Sequence, residues 1–475
     1  MLLVKSITPK KINRLSYGSY IITIILLTFV SPVFSQDNSP YTRYGLGDIV
    51  PNTNITSRAM GGITAAVDPY GLTINYNNPA SYARFMVDKE PNSKSRIKAG
   101  RAVLDVGINF DSRTLREPNN PTKFSINNIL FSQLQVGMPV SQKLGISFGL
   151  RPITRIVYNI AHFERLYDPN TGANIDSALT QYQGEGGTYL AAFGAGYKIL
   201  DNKKSLLSIG FNAGYLFGEK DYSTRRTFIN DSVEYYRANF EDKTTLGNYY
   251  VDAGIQYRAT LNEDKRTFLS VGAFGSFKNV LEGTKEEIRE TYIADPTFGN
   301  VQLDSVSIRR GIKGDVIYPA TFTVGFVLEK FATFNKSGGY LIGVDFQTSK
   351  WGDYTSFGQK DSVRDKWEVR VGGEMRPKGG KNYFSNVAYR AGFFFGPDYI
   401  KVKESLPLFG FSFGMALPLE NQGRRYGSFN QATVINLAFE YIKRGNDDNL
   451  LRENLFRVSL GLSLSDFWFL KRKYD

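Results

Sequence analysis

The residues that could do chemistry are few. The chain has one histidine, His162, in "IAHFERL", and no cysteine. A hydrolytic triad would have to be built on that histidine, yet no nucleophile motif stands near it. Zinc needs several His or Cys ligands and finds none here, so no metal site is expected. "DPNTGANID" spaces Asp168, Asn170, Asn174 and Asp176 two or four apart, which could hold Ca²⁺, but it lacks the Gly and Glu positions of a helix–loop–helix site. A polar surface turn is the simpler reading of it. "GEGG" (184–187) and "PKGGKN" (377–382) lack the strand-then-helix setting of a phosphate loop. An enzyme is not expected, and no cofactor is called for.

The elements around these residues explain why. In "LLSIGFNAGYLFG" (206–218), Leu207, Ile209, Phe211, Ala213, Tyr215 and Phe217 alternate with Ser208, Gly210, Asn212 and Gly214. A period of two is a strand with one apolar and one polar face. The same alternation predicts fourteen strands near 103–111, 129–140, 143–160, 187–198, 205–217, 249–259, 266–277, 316–328, 339–348, 367–376, 384–396, 407–417, 430–442 and 454–464. Most have the roughly 9 to 11 residues that a tilted strand needs to cross a bilayer. Connections after even-numbered strands are mostly short, whereas the longest, 218–248 and 278–315, follow odd-numbered ones. That sorting by parity belongs to an outer-membrane barrel with its turns in the periplasm. Phe211, Tyr215, Val106 and Ile435 should then face lipid, and Asn212, Asp105 and Asn436 the lumen.

The first 35 residues read as a cleaved export signal: Lys5, Lys10, Lys11 and Arg14, then the apolar run Ile21–Val30, then "SPVFS". No later apolar run reaches the length of a spanning helix. The net charge of +13 falls to +9 without the four basic residues of this segment. The remaining Lys and Arg are scattered among Asp and Glu through predicted turns and loops, so charged lipid headgroups, not nucleic acid, are the expected surroundings. Residues 36–98 do not alternate; rich in Tyr, Gly, Asn and Pro, they suit a plug inside the lumen, with the barrel over 99–475.

"AMGG" (59–62), "NNPA" (77–80), "YPATFTVGF" (318–326), "GVDFQTSKWGDY" (343–354), "GGEMRP" (372–377) and "PLFGFSFGMALPL" (407–419) follow one another in an order that resembles the long-chain fatty acid transporter (FadL-type) barrels. "SPYTRYGLGD" (39–48) and the ending "WFLKRKYD" resemble their Bacteroidota variant. The resemblance implies a fourteen-stranded antiparallel barrel in the outer membrane, plugged by an N-terminal hatch. It implies that Asn78, Pro79 and Ala80 fix the hatch against the wall. It also implies capture of hydrophobic compounds outside and release through a side opening in the third strand. Pro152 falls in that strand and cannot donate to a ladder, so a kink with a local gap toward a neighbouring strand is expected near 151–153. The alternative places the proline above the membrane, where water meets the free carbonyl. Two functions follow: a transporter of fatty-acid-like hydrophobic molecules, or a non-conducting barrel subunit bound to protein partners in outer-membrane secretion or assembly.

Overall fold

A computed structural model describes residues 39–468 apart from 69–71, 90–96, 119, 230–236, 296, 298, 333–336, 381 and 420–431. The predicted export signal lies outside the described residues. Fourteen strands form the wall: β1 (Ile97–Arg116), β2 (Lys123–Pro139), β3 (Leu144–Tyr167), β4 (Asn174–Asp201), β5 (Ser205–Phe228), β6 (Arg237–Asn262), β7 (Thr267–Ser276), β8 (Thr321–Lys330), β9 (Gly339–Ser349), β10 (Lys366–Arg376), β11 (Ala388–Val402), β12 (Glu404–Leu419), β13 (Ala432–Arg444) and β14 (Arg452–Trp468). Each pairs antiparallel with its neighbours, and β14 returns to β1 with Gly461 opposite Gly107, closing the barrel.

The faces follow the alternation. Phe211 is 48% exposed while its neighbour Asn212 is 2% exposed. Asp105 and Asn436 are buried inward, and Phe326, Val324, Phe413 and Tyr441 stand exposed outward. With one face in hydrocarbon and one in a filled lumen, a charge on the outer row has no solvent. Phe211→Arg is therefore expected to destabilise the barrel by about 2–4 kcal/mol, read as a lowered unfolding midpoint in detergent or liposomes. An unchanged midpoint would place Phe211 outside the bilayer.

The predicted long loops are instead strands. Segment 218–248 is mostly β5 and β6, which continue paired through Arg226 and Ala238 well past the bilayer. Segment 278–315 folds as a hairpin, Asn279–Asp295 with Gly299–Tyr318, whose first strand pairs with β6 from Arg237 to Gly247. β3 and β4 project likewise, paired up to Tyr167 and Asn174. Ion pairs fasten this projecting sheet: Lys285–Asp242 (3.3 Å), Arg289–Asp242 (2.8 Å) and Arg309–Glu287. The Lys285 ammonium, 2.8 Å from Glu287, holds that carboxyl below its usual range. His162 is an exposed residue of the projecting part of β3.

Residues 39–68 and 72–87 run through the lumen. They form a turn at Pro40–Arg43, a two-residue strand at Asp48–Ile49, helix α1 (Ile55–Arg58) and a tight turn at Pro79–Arg84. Asn54 caps α1, its side-chain oxygen accepting from Ser57 N (2.7 Å). The wall meets this backbone with glycines because no side chain fits between: a Cβ on Gly210 would lie 2.4 Å from Pro79, and one on Gly272 1.9 Å from the Ala65 carbonyl oxygen.

Candidate functional site: the fastened hatch and the open seam

Inward-facing polar residues of the wall reach the plug from all sides. Asp345 of β9 accepts from Thr64 N (2.6 Å) and Ala65 N (2.9 Å), and Ser412 of β12 from Gly61 N (2.8 Å). Asn212 of β5 accepts from Tyr82 Oη (2.9 Å), and Asp105 of β1 from Thr73 Oγ1 (2.8 Å). Asn78 accepts from Ala80 N at the start of the Pro79–Arg84 turn (3.2 Å). It also donates to the carbonyls of Ala65 (2.7 Å) and of Ile255 in β6 (3.2 Å). Pro79 and Ala80 are buried beside Gly210. The Asn-Pro motif is thus both a capped turn and a contact to the wall.

Arg58, 1% exposed, is the most connected hatch residue. Its Nη1 donates to Asn109 Oδ1 (2.6 Å) and Ser459 Oγ (3.2 Å), and its Nη2 to the carbonyls of Pro51 (3.0 Å) and Thr53 (2.9 Å) and to Ser132 Oγ (3.2 Å). Its Nε lies 3.8 Å from Glu440. Glu440 and Asp111 also face Arg457, at 3.9 and 2.6 Å. Hatch residue Asp48 bridges Arg113 (2.7 Å) and Arg444 (2.8 Å), which share Glu453 at 3.0 and 3.2 Å. Toward the other end of the lumen Asp68 of the hatch pairs with Arg84 (2.7 Å) and faces Arg258 (3.8 Å), itself paired with Glu329. Sequence reading missed this network, having assigned the basic residues to turns and loops. The signal was present: Asp111, Arg113, Glu440, Arg444, Glu453 and Arg457 all stand at inward parity within strands.

A cavity of about 260 Å³ lies between hatch and wall, bordered by Asp48, Arg58, Arg113, Arg151, Tyr318 and Glu440 among others. It reaches the wall at Leu130 of β2 and Ile153 of β3, and there the wall opens. The β2–β3 ladder ends at Leu134 opposite Leu150. Above it, among the described residues, the ladder of β2 continues with β1, up to Lys123 opposite Arg116, and that of β3 along the wall with β4. Two bulges flank the split. Ser132 is the extra residue in β2, between the Gly107–Gln133 and Ile108–Phe131 pairs. Ile153 is the extra residue in β3, between Pro152–Tyr189 and Thr154–Thr188. A bulge bends its strand and raises the local twist, so the two strands part. Pro152 sits at the second bulge and is buried, whereas Phe148, four residues before it on the lipid row, is 48% exposed. The hatch takes the place of β2 along this stretch of β3: Asp48 and Ile49 pair with Arg155 and Thr154, and Val50 N donates to the Ile153 carbonyl (3.0 Å).

The profile of the BamG family matches residues 18–475. The chain belongs to the BamG family. Its architecture is similar to that of a FadL homologue from Pseudomonas aeruginosa, with 13% sequence identity, a TM-score of 0.51, and 90% of this chain and 100% of that one covered. The toluene transporter TodX of Pseudomonas putida shares 15% identity over 88% of this chain and 99% of its own, with a TM-score of 0.47. No curated protein sequence matches the chain. At such identities the likeness speaks to the fold alone: this BamG-family protein shares the barrel fold of the FadL homologue. Among the described residues no group of three or more His, Cys, Asp or Glu side chains could hold a metal ion, and Asp168 closes an exposed turn by accepting from Asn170 N (2.8 Å).

Proposed function

We propose that this BamG-family barrel is a sealed subunit of the outer membrane that works by engaging other outer-membrane proteins, not by passing solutes through its lumen. The observation that carries the reading is the fastening of the hatch by buried ion pairs, Arg58–Glu440, Asp48–Arg113 and Asp48–Arg444. Breaking one buried pair leaves an uncompensated charge and costs about 3–5 kcal/mol. Hatch movement would break several at once. Charged groups such as Arg58, Arg113 and Glu440 interrupt the apolar lining of the cavity at Leu130, Ile153 and Trp351, which reduces the roughly 25 cal/mol per Å² that apolar burial would supply to a solute. The projecting sheet of β3 to β6 and the hairpin offers a broad charged surface for a partner, and the family's name points to protein partners of the same membrane.

A second reading has its own observation. The seam between β2 and β3 meets the cavity, as lateral release of a hydrophobic, fatty-acid-like compound would require, and solved barrels of this fold include proteins described as toluene transporters. In that reading Asn78, Pro79 and Ala80 hold the hatch and Pro152 marks the exit.

Planar-bilayer recordings combined with mild-detergent purification and mass spectrometry separate the two. The sealed-subunit reading expects little conductance and stoichiometric protein partners without a lipid ligand. A co-purified fatty acid or hydrocarbon, with uptake slowed by Pro152→Val, would overturn it in favour of transport.

A further inference from the structure

Scattered along the chain, the charges sort by end once the topology is known. The six connections at the short-turn end (140–143, 202–204, 263–266, 331–338, 377–387 and 420–431) carry ten Lys and Arg against three Asp and Glu. The connections at the opposite end, the projecting hairpin included, carry ten against sixteen. On the short-turn rim Lys143, Lys203, Lys204, Lys265 and Lys378 are exposed, and among the described residues none of them is in an ion pair. In outer-membrane barrels this end faces the periplasm.

A second cavity lies at the same end. It occupies about 310 Å³ between the hatch and β9 to β13, bordered by Pro377, Gly379, Ser385 and Asn386 of the β10–β11 connection. Two buried apolar clusters face it without meeting: Met60, Val67 and Leu341 on one side, Ala388, Ala416 and Val434 on the other. The connection itself is tied down. Ser385 Oγ donates to the Asn382 carbonyl (2.6 Å), Asn386 Nδ2 to that of Gly380 (3.1 Å) and Tyr389 Oη to that of Phe384 (3.2 Å). It holds Phe384 64% exposed, next in sequence to the bordering Ser385.

We propose that the periplasmic end of this barrel is a docking site for an acidic periplasmic segment of a partner protein, one of whose apolar side chains enters this recess. This deepens the partner-binding function proposed above and rests on it. Complementary charge steers encounter and rejects like-charged partners, so a basic rim selects an acidic surface. The recess favours an apolar group because that group leaves water on entering. Phospholipid headgroups would account for the rim but not for the recess, which lies inside the wall and out of reach of a chain in the bilayer. A single anionic amphiphile would account for the recess but not for basic residues spread over four separate turns. A protein surface accounts for both. A second copy inserted the same way presents the same basic rim and is repelled.

Photo-crosslinking in the native outer membrane tests this, with the intact protein carrying a benzophenone side chain at Ser385, and at Phe211 on the lipid face as a control. The expected result is a discrete protein adduct from Ser385 and none from Phe211. The partner peptide, sequenced by mass spectrometry, should carry net negative charge and an apolar residue at the crosslink. Lys378→Glu should lower the adduct yield about two- to fivefold, the worth of one exposed ion pair, and about 1 M salt should lower it further by screening. Ala416→Met fills the recess and should abolish the adduct while the unheated gel still shows a folded barrel. Adducts only with lipid, a neutral or basic partner peptide, or a yield indifferent to salt and to both variants would overturn the proposal. If the partner crosslinks from Ile308 on the projecting hairpin and not from Ser385, the recess assignment fails while the partner function stands. If no protein crosslinks from either position, both fall.

Discussion

Arg58→Ala is expected to turn a closed barrel into a conducting one. The guanidinium reaches β1 at Asn109, β2 at Ser132, β13 at Glu440 and β14 at Ser459, and it also ties the hatch to itself through Pro51 and Thr53. Alanine removes all of these contacts. It leaves Glu440, 4% exposed, with Arg457 alone, 3.9 Å away. The loss is on the order of 3–5 kcal/mol and falls on the hatch, because the wall's ladders do not pass through Arg58. Single-channel recordings should change from near silence to frequent large openings, while the folded barrel keeps its reduced mobility on unheated gels. Arg58→Lys keeps the charge but not the planar fork, so it should give an intermediate conductance. Silent recordings from Arg58→Ala would mean that the other ion pairs suffice to hold the hatch.

Gly372→Val, alone or with Gly392→Val, is expected to expel the hatch by sterics. The two glycines face each other across β10 and β11. A Cβ at Gly372 would lie 2.0 Å from the Met60 carbonyl oxygen, and one at Gly392 2.0 Å from Gly61 N. Both obstacles are backbone, so no rotamer change relieves them. Valine favours strands, and the wall itself should therefore assemble. Overpacking costs typically about 1–3 kcal/mol when neighbours can adjust, and here the adjusting element is the whole segment around α1. Limited proteolysis from the outer face should cut within residues 39–87 of the variant and spare the parent. A variant as resistant as the parent would show that the hatch slides without leaving.

The fourteen strands, their order and their facing could be read from the chain because lipid and lumen impose a strict period of two. Phe211 and Asn212 declare their sides as neighbours in sequence. Strand ends could not be read this way. Beyond the bilayer both faces meet water, alternation no longer carries information, and Glu286, Arg289 and Arg309 look like loop while pairing as strand. The charged lumen was half visible. Parity alone sets Arg113, Glu440 and Arg457 inward, but which cation meets which anion depends on strands far apart in sequence, as when Arg58 reaches Ser459. Pro152 marked a weak point in the ladder of β3, since a missing N–H is a local property. That β2 parts from β3 there, that Ser132 bulges opposite, and that the hatch pairs along the β3 lip were decided only by closure of the barrel around its plug. Backbone hydrogen bonds between strands are set by register, and register is a property of the pair, not of either strand's sequence.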